Sequence, residues 1–300
     1  MSGFVLLDDA VSRRAVLYRD LQHSDFLLSD SLSRLDDLLR EGWRRGLHAF
    51  IAADYSFGLP LQKLPSEKPG TLALHWFESC ADTDTESALA ALSDGLSDSP
   101  CGISVPRPSV SETEYLTHIR AIQQAIARGD CYQINYTFRL ALTAYGSPVA
   151  LYRRLRQPVP YAALACLPDA SGRETWTLCF SPELFLNIRS DGLISTEPMK
   201  GTAPFVGDGL DDTRARALQV DPKNRAENVM IVDLLRNDLG KTAETGSVRV
   251  PEPFKVSRFG SVWQMTSRIE AQARRGTSAA DIFRAAFPCG SITGAPKRKS

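Results

Sequence analysis

The sequence predicts a fold that mixes helices with hairpin strands, and three stretches carry that expectation. Within residues 25–44, Leu27, Leu32, Leu35, Leu38 and Leu39 recur at near-helical spacing, the mark of one buried helix face. Leu184–Ile188 and Leu193–Glu197 are short apolar runs on either side of Asp191-Gly192, a hairpin signal. Asp221 and Pro222 open a long helical pattern that closes at Gly240, with Asp221 as cap and Pro222 at the first helical position.

In chain order, residues 1 to about 90 read as scaffold. Strands are expected at 49–53 and 71–74, and nothing there carries a chemical signature. A Ser/Pro/Gly-rich passage over 92–109 reads as a linker. Ser111 and Glu114 form a capping box that starts a helix with Tyr115, Ile119, Ile122 and Ile126 on one face and a stop at Gly129. Residues 130–138 alternate like a strand, which puts Gln133, Asn135 and Thr137 on one side. That side is either a wet face or the wall of a polar cavity. A strand is expected over 176–180 before the hairpin, and a last helix over 278–287. It runs into a small-residue loop, Gly290-Ser291-Ile292-Thr293-Gly294-Ala295, expected to enter a new helix at Pro296 whose amides suit an anion.

Composition sets limits. The 300 residues carry 35 basic and 35 acidic side chains for a formal net charge of zero, without the basic bias of a general nucleic-acid binder. No apolar run approaches the ~20 residues needed to span a bilayer, and no export signal is visible at the start. The six cysteines form no C-x-x-C pair and the four histidines are scattered, which argues against structural zinc and a disulfide framework. A reduced, cytoplasmic protein is expected.

Three charged residues stand out by position. Lys200 follows Pro198, which ends a strand, and precedes Gly201. A lone lysine there is either a solvated charge or an amine held in a cleft. Glu183 lies one hairpin earlier, at the same end of the expected sheet; a weak surface ion pair with Lys200 is the plain reading. Glu227 falls four residues before Ile231, on the stripe of core positions, so its carboxylate must be paired, protonated or bound to a metal. Asp233 and Arg236 belong to the polar face.

Taken together, these segments resemble the chorismate-utilising enzymes. The resemblance runs from about Ser111 to Ser300 and rests on the Gly129-Asp130-Cys131-Tyr132-Gln133-Ile134-Asn135 block, Ser181-Pro182-Glu183, Pro198-Met199-Lys200-Gly201-Thr202, the helix from Glu227-Asn228 to Arg236-Asn237-Asp238, and Gly290 to Lys297. It implies an α+β fold of two packed antiparallel sheets with helices outside and the site in a cleft. Residues 1–100 would be the family's N-terminal scaffold and 110–300 its chorismate-binding region, incomplete at the C-terminus. The family's second set of Mg²⁺ glutamates and its contacts to the pyruvyl carboxylate would fall after Ser300.

The resemblance also implies roles. Glu183 matches the general acid, Glu227 a Mg²⁺ ligand, and Thr293 and Gly294 substrate-carboxylate contacts, with Gln133 and Thr202 also in substrate-binding blocks. Lys200 matches the nucleophilic lysine of the branch that makes aminodeoxychorismate, where anthranilate synthases usually carry alanine. Gln133 replaces the lysine base of the branches that add water. Ammonia would come from a separate glutamine amidotransferase subunit. Gln264 stands where many members have histidine. The alternatives are anthranilate synthase component I and a non-catalytic module that binds chorismate or an amidotransferase.

Overall fold

The computed structural model describes residues 3–93 and 100–298. The chain starts with β1 (Phe4–Asp9) and β2 (Arg14–Leu27), then a 3-10 segment (Ser29–Arg34) and α1 (Leu35–Arg44). It continues through β3 (His48–Ala53), α2 (Tyr55–Leu61), β4 (Leu72–Asp84) and α3 (Thr85–Leu92). The expected strands at 49–53 and 71–74 are therefore present, the second much longer than expected. Part of the linker expected over 92–109 lies outside the described residues.

The helix expected over 25–44 begins later. Asp25, Phe26 and Leu27 end β2 and pair with Leu74, Ala73 and Leu72, while the Trp76 indole donates to Asp25 at 2.9 Å. Long-range pairing overrides local spacing there. α1 then crosses β4 so closely that a Cβ on Gly42 would stand 2.0 Å from Trp76. Leu32, Leu35, Phe57, Leu72 and Leu74 fill this layer with no exposure. Each such side chain contributes about 1.5–3 kcal/mol.

An arm follows, built from β5 (Gly102–Ile103), β6 (Arg107–Pro108), α4 (Glu112–Ala127), β7 (Gln133–Ile134), β8 (Leu140–Ala141) and β9 (Ala144–Tyr145). β5 pairs with β9 and β6 with β8. The capping box forms: the Ser111 N–H donates to Glu114 at 2.8 Å and the Glu114 N–H to the Ser111 hydroxyl at 3.3 Å. α4 buries none of its residues; Tyr115 instead meets Tyr136 and Phe138, both at 5.8 Å. Only Gln133–Ile134 of the alternating stretch 130–138 is strand.

Beyond α5 (Pro148–Leu155), β10 (Tyr161–Pro168) and β11 (Glu174–Ser181) return to the first sheet, whose antiparallel order is β11-β10-β1-β2-β4-β3. The second sheet holds β12 (Leu184–Ile188), β13 (Leu193–Glu197), β14 (Met199–Pro204), β15 (Arg249–Phe259) and β16 (Val262–Gln272). In it β16 pairs with β13, β14 and β15, all antiparallel. Against this sheet lie α6 (Asp211–Val220) and α7 (Pro222–Gly240). α7 opens as expected, with the Asn224 N–H donating to Asp221 at 2.7 Å.

α8 (Ala279–Ala286) joins the two halves: Ala280 belongs to the core of the first sheet and Ile282 to that of the second. The helix expected at Pro296 is not there within the described residues, where 296–298 form a turn. Instead a single helical turn, α9 (Gly290–Thr293), comes earlier, and β17 (Gly294–Ala295) pairs with β7. Pairing with β7 claims the backbone that a helix start would have left open. The whole is an α+β fold of antiparallel sheets with helices outside. All six cysteines are free thiols, and no helix among the described residues is long and apolar enough to cross a membrane.

Candidate active site

The corner between β11 and β12 is Ser181-Pro182-Glu183. Pro182 breaks the strand, and the Ser181 hydroxyl accepts the Glu183 N–H at 3.3 Å and donates to its carbonyl at 3.1 Å. The corner turns the Glu183 side chain into a half-buried position where the Ser291 hydroxyl donates to Oε1. Burial pushes this carboxyl above the usual glutamate range; the Ser291 hydroxyl, the charge of Lys200 and the Met199 N–H pull the other way and do not cancel it. A carboxyl in that setting holds its proton to higher pH than a surface glutamate.

Lys200 lies on β14, directly after the Pro198 break. Its neighbour Gly201 has φ +96, and a Cβ there would stand 3.1 Å from Asn224, so glycine lets β14 pass over the start of α7. The Lys200 Nζ, half-buried, donates to the Ser291 carbonyl at 3.5 Å, and Asn135 Nδ2 donates to the same oxygen at 2.6 Å. Ser291 thus meets the carboxyl with its side chain and the amine with its backbone. Among the described residues no ion pair links Glu183 directly to Lys200.

Gln133 Nε2 donates to Asn135 at 3.3 Å, which leaves these two amides on one side of their strand. The strand is stitched to the Ser291 segment: the Asn135 N–H donates to the Thr293 carbonyl at 2.8 Å and the Tyr132 N–H to that of Ala295 at 2.7 Å. Thr293 and Gly294 are buried behind Ser291. The Thr293 hydroxyl donates to the Cys289 carbonyl at 3.2 Å, and the Gly294 N–H to the Gly290 carbonyl. Thr202 is exposed further along β14 and donates to Gln264 at 3.0 Å across to β16.

Glu227 stands on α7 at the edge of the buried stripe, its side chain 42% exposed, with Lys223 3.9 Å away. No hydrogen bond or ion pair among the described residues ties it to Glu183 or Lys200. No group of three His, Cys, Asp or Glu among the described residues could hold a metal. These residues alone do not make a metal site.

Glu183, Lys200, Gln133, Thr293 and Gly294 therefore gather on one segment, while Thr202 meets Gln264 and Glu227 meets Lys223 instead. Sequence reasoning missed Ser291, the link between them, and Asn135 as its second anchor. It also missed Asp238 and Lys297, buried together at 2.5 Å. Asp238 falls seven residues after Ile231, so the same register that marked Glu227 also places Asp238 on the buried stripe.

A family model described as chorismate binding enzyme matches residues 53–300. Aminodeoxychorismate synthase component 1 of Klebsiella aerogenes is 43% identical over 194 residues, 64% of this chain and 42% of that protein. An anthranilate synthase component 1 of Haloarcula marismortui is 38% identical over 218 residues, 72% of this chain and 40% of that protein. The chain thus spans about two fifths of the length of the relatives it matches. Among solved structures, anthranilate synthase component I of Streptococcus pneumoniae shares the fold with a TM-score of 0.63 at 20% identity, covering 100% of this chain and 73% of that one.

Proposed function

The chain belongs to the family of chorismate binding enzymes, and from that membership we propose that it is the aminating component of an aminodeoxychorismate synthase. The reaction is chorismate plus ammonia to 4-amino-4-deoxychorismate and water. The observation that carries the reading is the meeting of Lys200 and Glu183 at Ser291.

In the proposed sequence the Lys200 amine attacks C2 of the ring. The C2–N bond forms, the two ring double bonds shift, and the C4–O bond breaks. Glu183 gives its proton to the departing hydroxyl, which leaves as water. Ammonia then attacks C4, the double bonds shift back, and the C2–N bond to Lys200 breaks. The raised Glu183 pKa supports the acid role, since the group must arrive protonated. A Mg²⁺ requirement is part of the proposal, with Glu227 as one oxygen ligand of an ion that would neutralise a substrate carboxylate; no step is derived through it. A glutamine amidotransferase subunit is the proposed ammonia source and the cytoplasm the proposed compartment.

Anthranilate formation is the second reading, favoured by the 38% identity to an anthranilate synthase component 1. The purified protein with chorismate, Mg²⁺ and ammonium separates them. p-Aminobenzoate on addition of the downstream lyase supports the proposal, and anthranilate fluorescence supports its rival. Binding of chorismate without either product supports a non-catalytic module.

A further inference from the structure

We propose that the buried pair Asp238–Lys297 is a clamp that sets Ser291, and that both are positioning residues for the reaction proposed above, on which this inference rests. Asp238 lies in the last turns of α7 with its side chain 3% exposed, and Lys297 is 6% exposed. The Lys297 ammonium donates to Asp238 Oδ2 at 2.5 Å and to the Ala286 carbonyl at 2.9 Å. Lys241 holds the other carboxylate oxygen at 2.7 Å. Through these two lysines the carboxylate ties the end of α7 to the end of α8 and to the segment that follows it, Lys241 also donating to the Ala285 carbonyl at 3.4 Å.

The segment between has a second footing one helical turn away. Gly290 presses on Leu234, and a Cβ there would stand 2.3 Å from Leu234 Cδ2. From Gly290 to Lys297 the chain arches between Leu234 and Asp238 of the same helix. Ser291 sits on that arch, its hydroxyl on Glu183 and its carbonyl taking Lys200 and Asn135. The clamp and the site are contiguous: a Cβ on Gly290, the residue before Ser291, would stand 3.7 Å from Lys297 Cε.

A buried ion pair is a poor way to add stability, because desolvating two charges offsets most of their attraction. It is a good way to fix register, since only one placement of the segment satisfies both charges. An apolar pair would hold the arch with less precision about where Ser291 falls.

The test reads the Glu183 carboxyl without substrate, by carbon NMR titration of glutamate-labelled full chain, with Glu183→Gln to assign the signal. Ser291 favours the carboxylate form, so Ser291→Ala raises the Glu183 midpoint. The clamp predicts that Lys297→Met raises it by a similar amount, that the double variant adds nothing further, and that Lys297→Arg restores most of the wild-type value. If Lys297→Met does not fold, Asp238→Asn, which keeps the shape and loses the charge, is read the same way. A variant that melts earlier but keeps the wild-type Glu183 midpoint overturns the clamp and leaves a purely structural pair, as does an additive double variant. If these shifts occur while the wild type makes no aminated product, the functional proposal fails and the clamp stands.

Discussion

The Ser291 hydroxyl donates to the Glu183 carboxylate although the two residues lie 108 positions apart. This bond opposes, without cancelling, the burial that raises the Glu183 pKa. In the acid role proposed for it, Glu183 would lose function as pH rises through its pKa. Ser291→Ala is therefore expected to move the basic limb of the pH–rate profile upward. A limb that stays in place, or moves down, would separate Ser291 from the acid.

Removing the acid itself has a larger effect. Glu183→Gln is expected to lower chorismate amination by about 10²–10⁴-fold, the usual range for a positioned general acid. The same variant tests stability. A carboxyl with a raised folded pKa stabilises the fold fully below the pKa of the unfolded chain, and that contribution is lost as pH rises through the folded value. Denaturant titrations of wild type should show this loss starting near the ordinary glutamate range, and Glu183→Gln should not.

Glu227 separates chemistry from stability. Its side chain is 42% exposed and its nearest cation, Lys223, is 3.9 Å away, a pair worth at most about 0.5 kcal/mol. Glu227→Gln should leave the melting curve unchanged while the Mg²⁺ concentration needed for half-maximal turnover rises. Equal Mg²⁺ dependence in both proteins would remove Glu227 from the ligand set.

The opposite case is Asp8, whose side chain is fully buried on β1. It accepts from Thr85 at 2.9 Å, Tyr152 at 2.9 Å and Arg156 Nε at 2.7 Å. Arg156→Met leaves that carboxylate without its cation and should cost about 3–5 kcal/mol, measured by urea unfolding. A loss below about 1 kcal/mol would mean that the two hydroxyls suffice, since hydrogen bonds to charged groups reach about 1.5–3 kcal/mol each.

What was legible in the sequence was what is local. The β12–β13 hairpin, the Ser111–Glu114 box and the Asp221 cap each depend on residues a few positions apart, and each formed. Asp25 to Leu27 failed because their partners, Leu74 to Leu72, lie across a sheet that no local pattern encodes. The blocks holding Glu183 and Lys200 stood out, yet the residue that connects them did not, since Ser291 is one small side chain in a small-residue loop. Register alone proved double-edged: it put both Glu227 and Asp238 on the buried stripe of α7. The structure leaves the first 42% exposed and buries the second against Lys297 of the segment that follows α8.

The nucleophilic role proposed for Lys200 is tested most directly by intact-mass spectrometry of the protein given chorismate and Mg²⁺ without ammonia. The wild type is expected to gain a covalent species equal to chorismate less water, discharged by ammonium, while Lys200→Ala gains none and makes no aminodeoxychorismate. Undiminished product from Lys200→Ala, with no adduct on the wild type, would contradict the account.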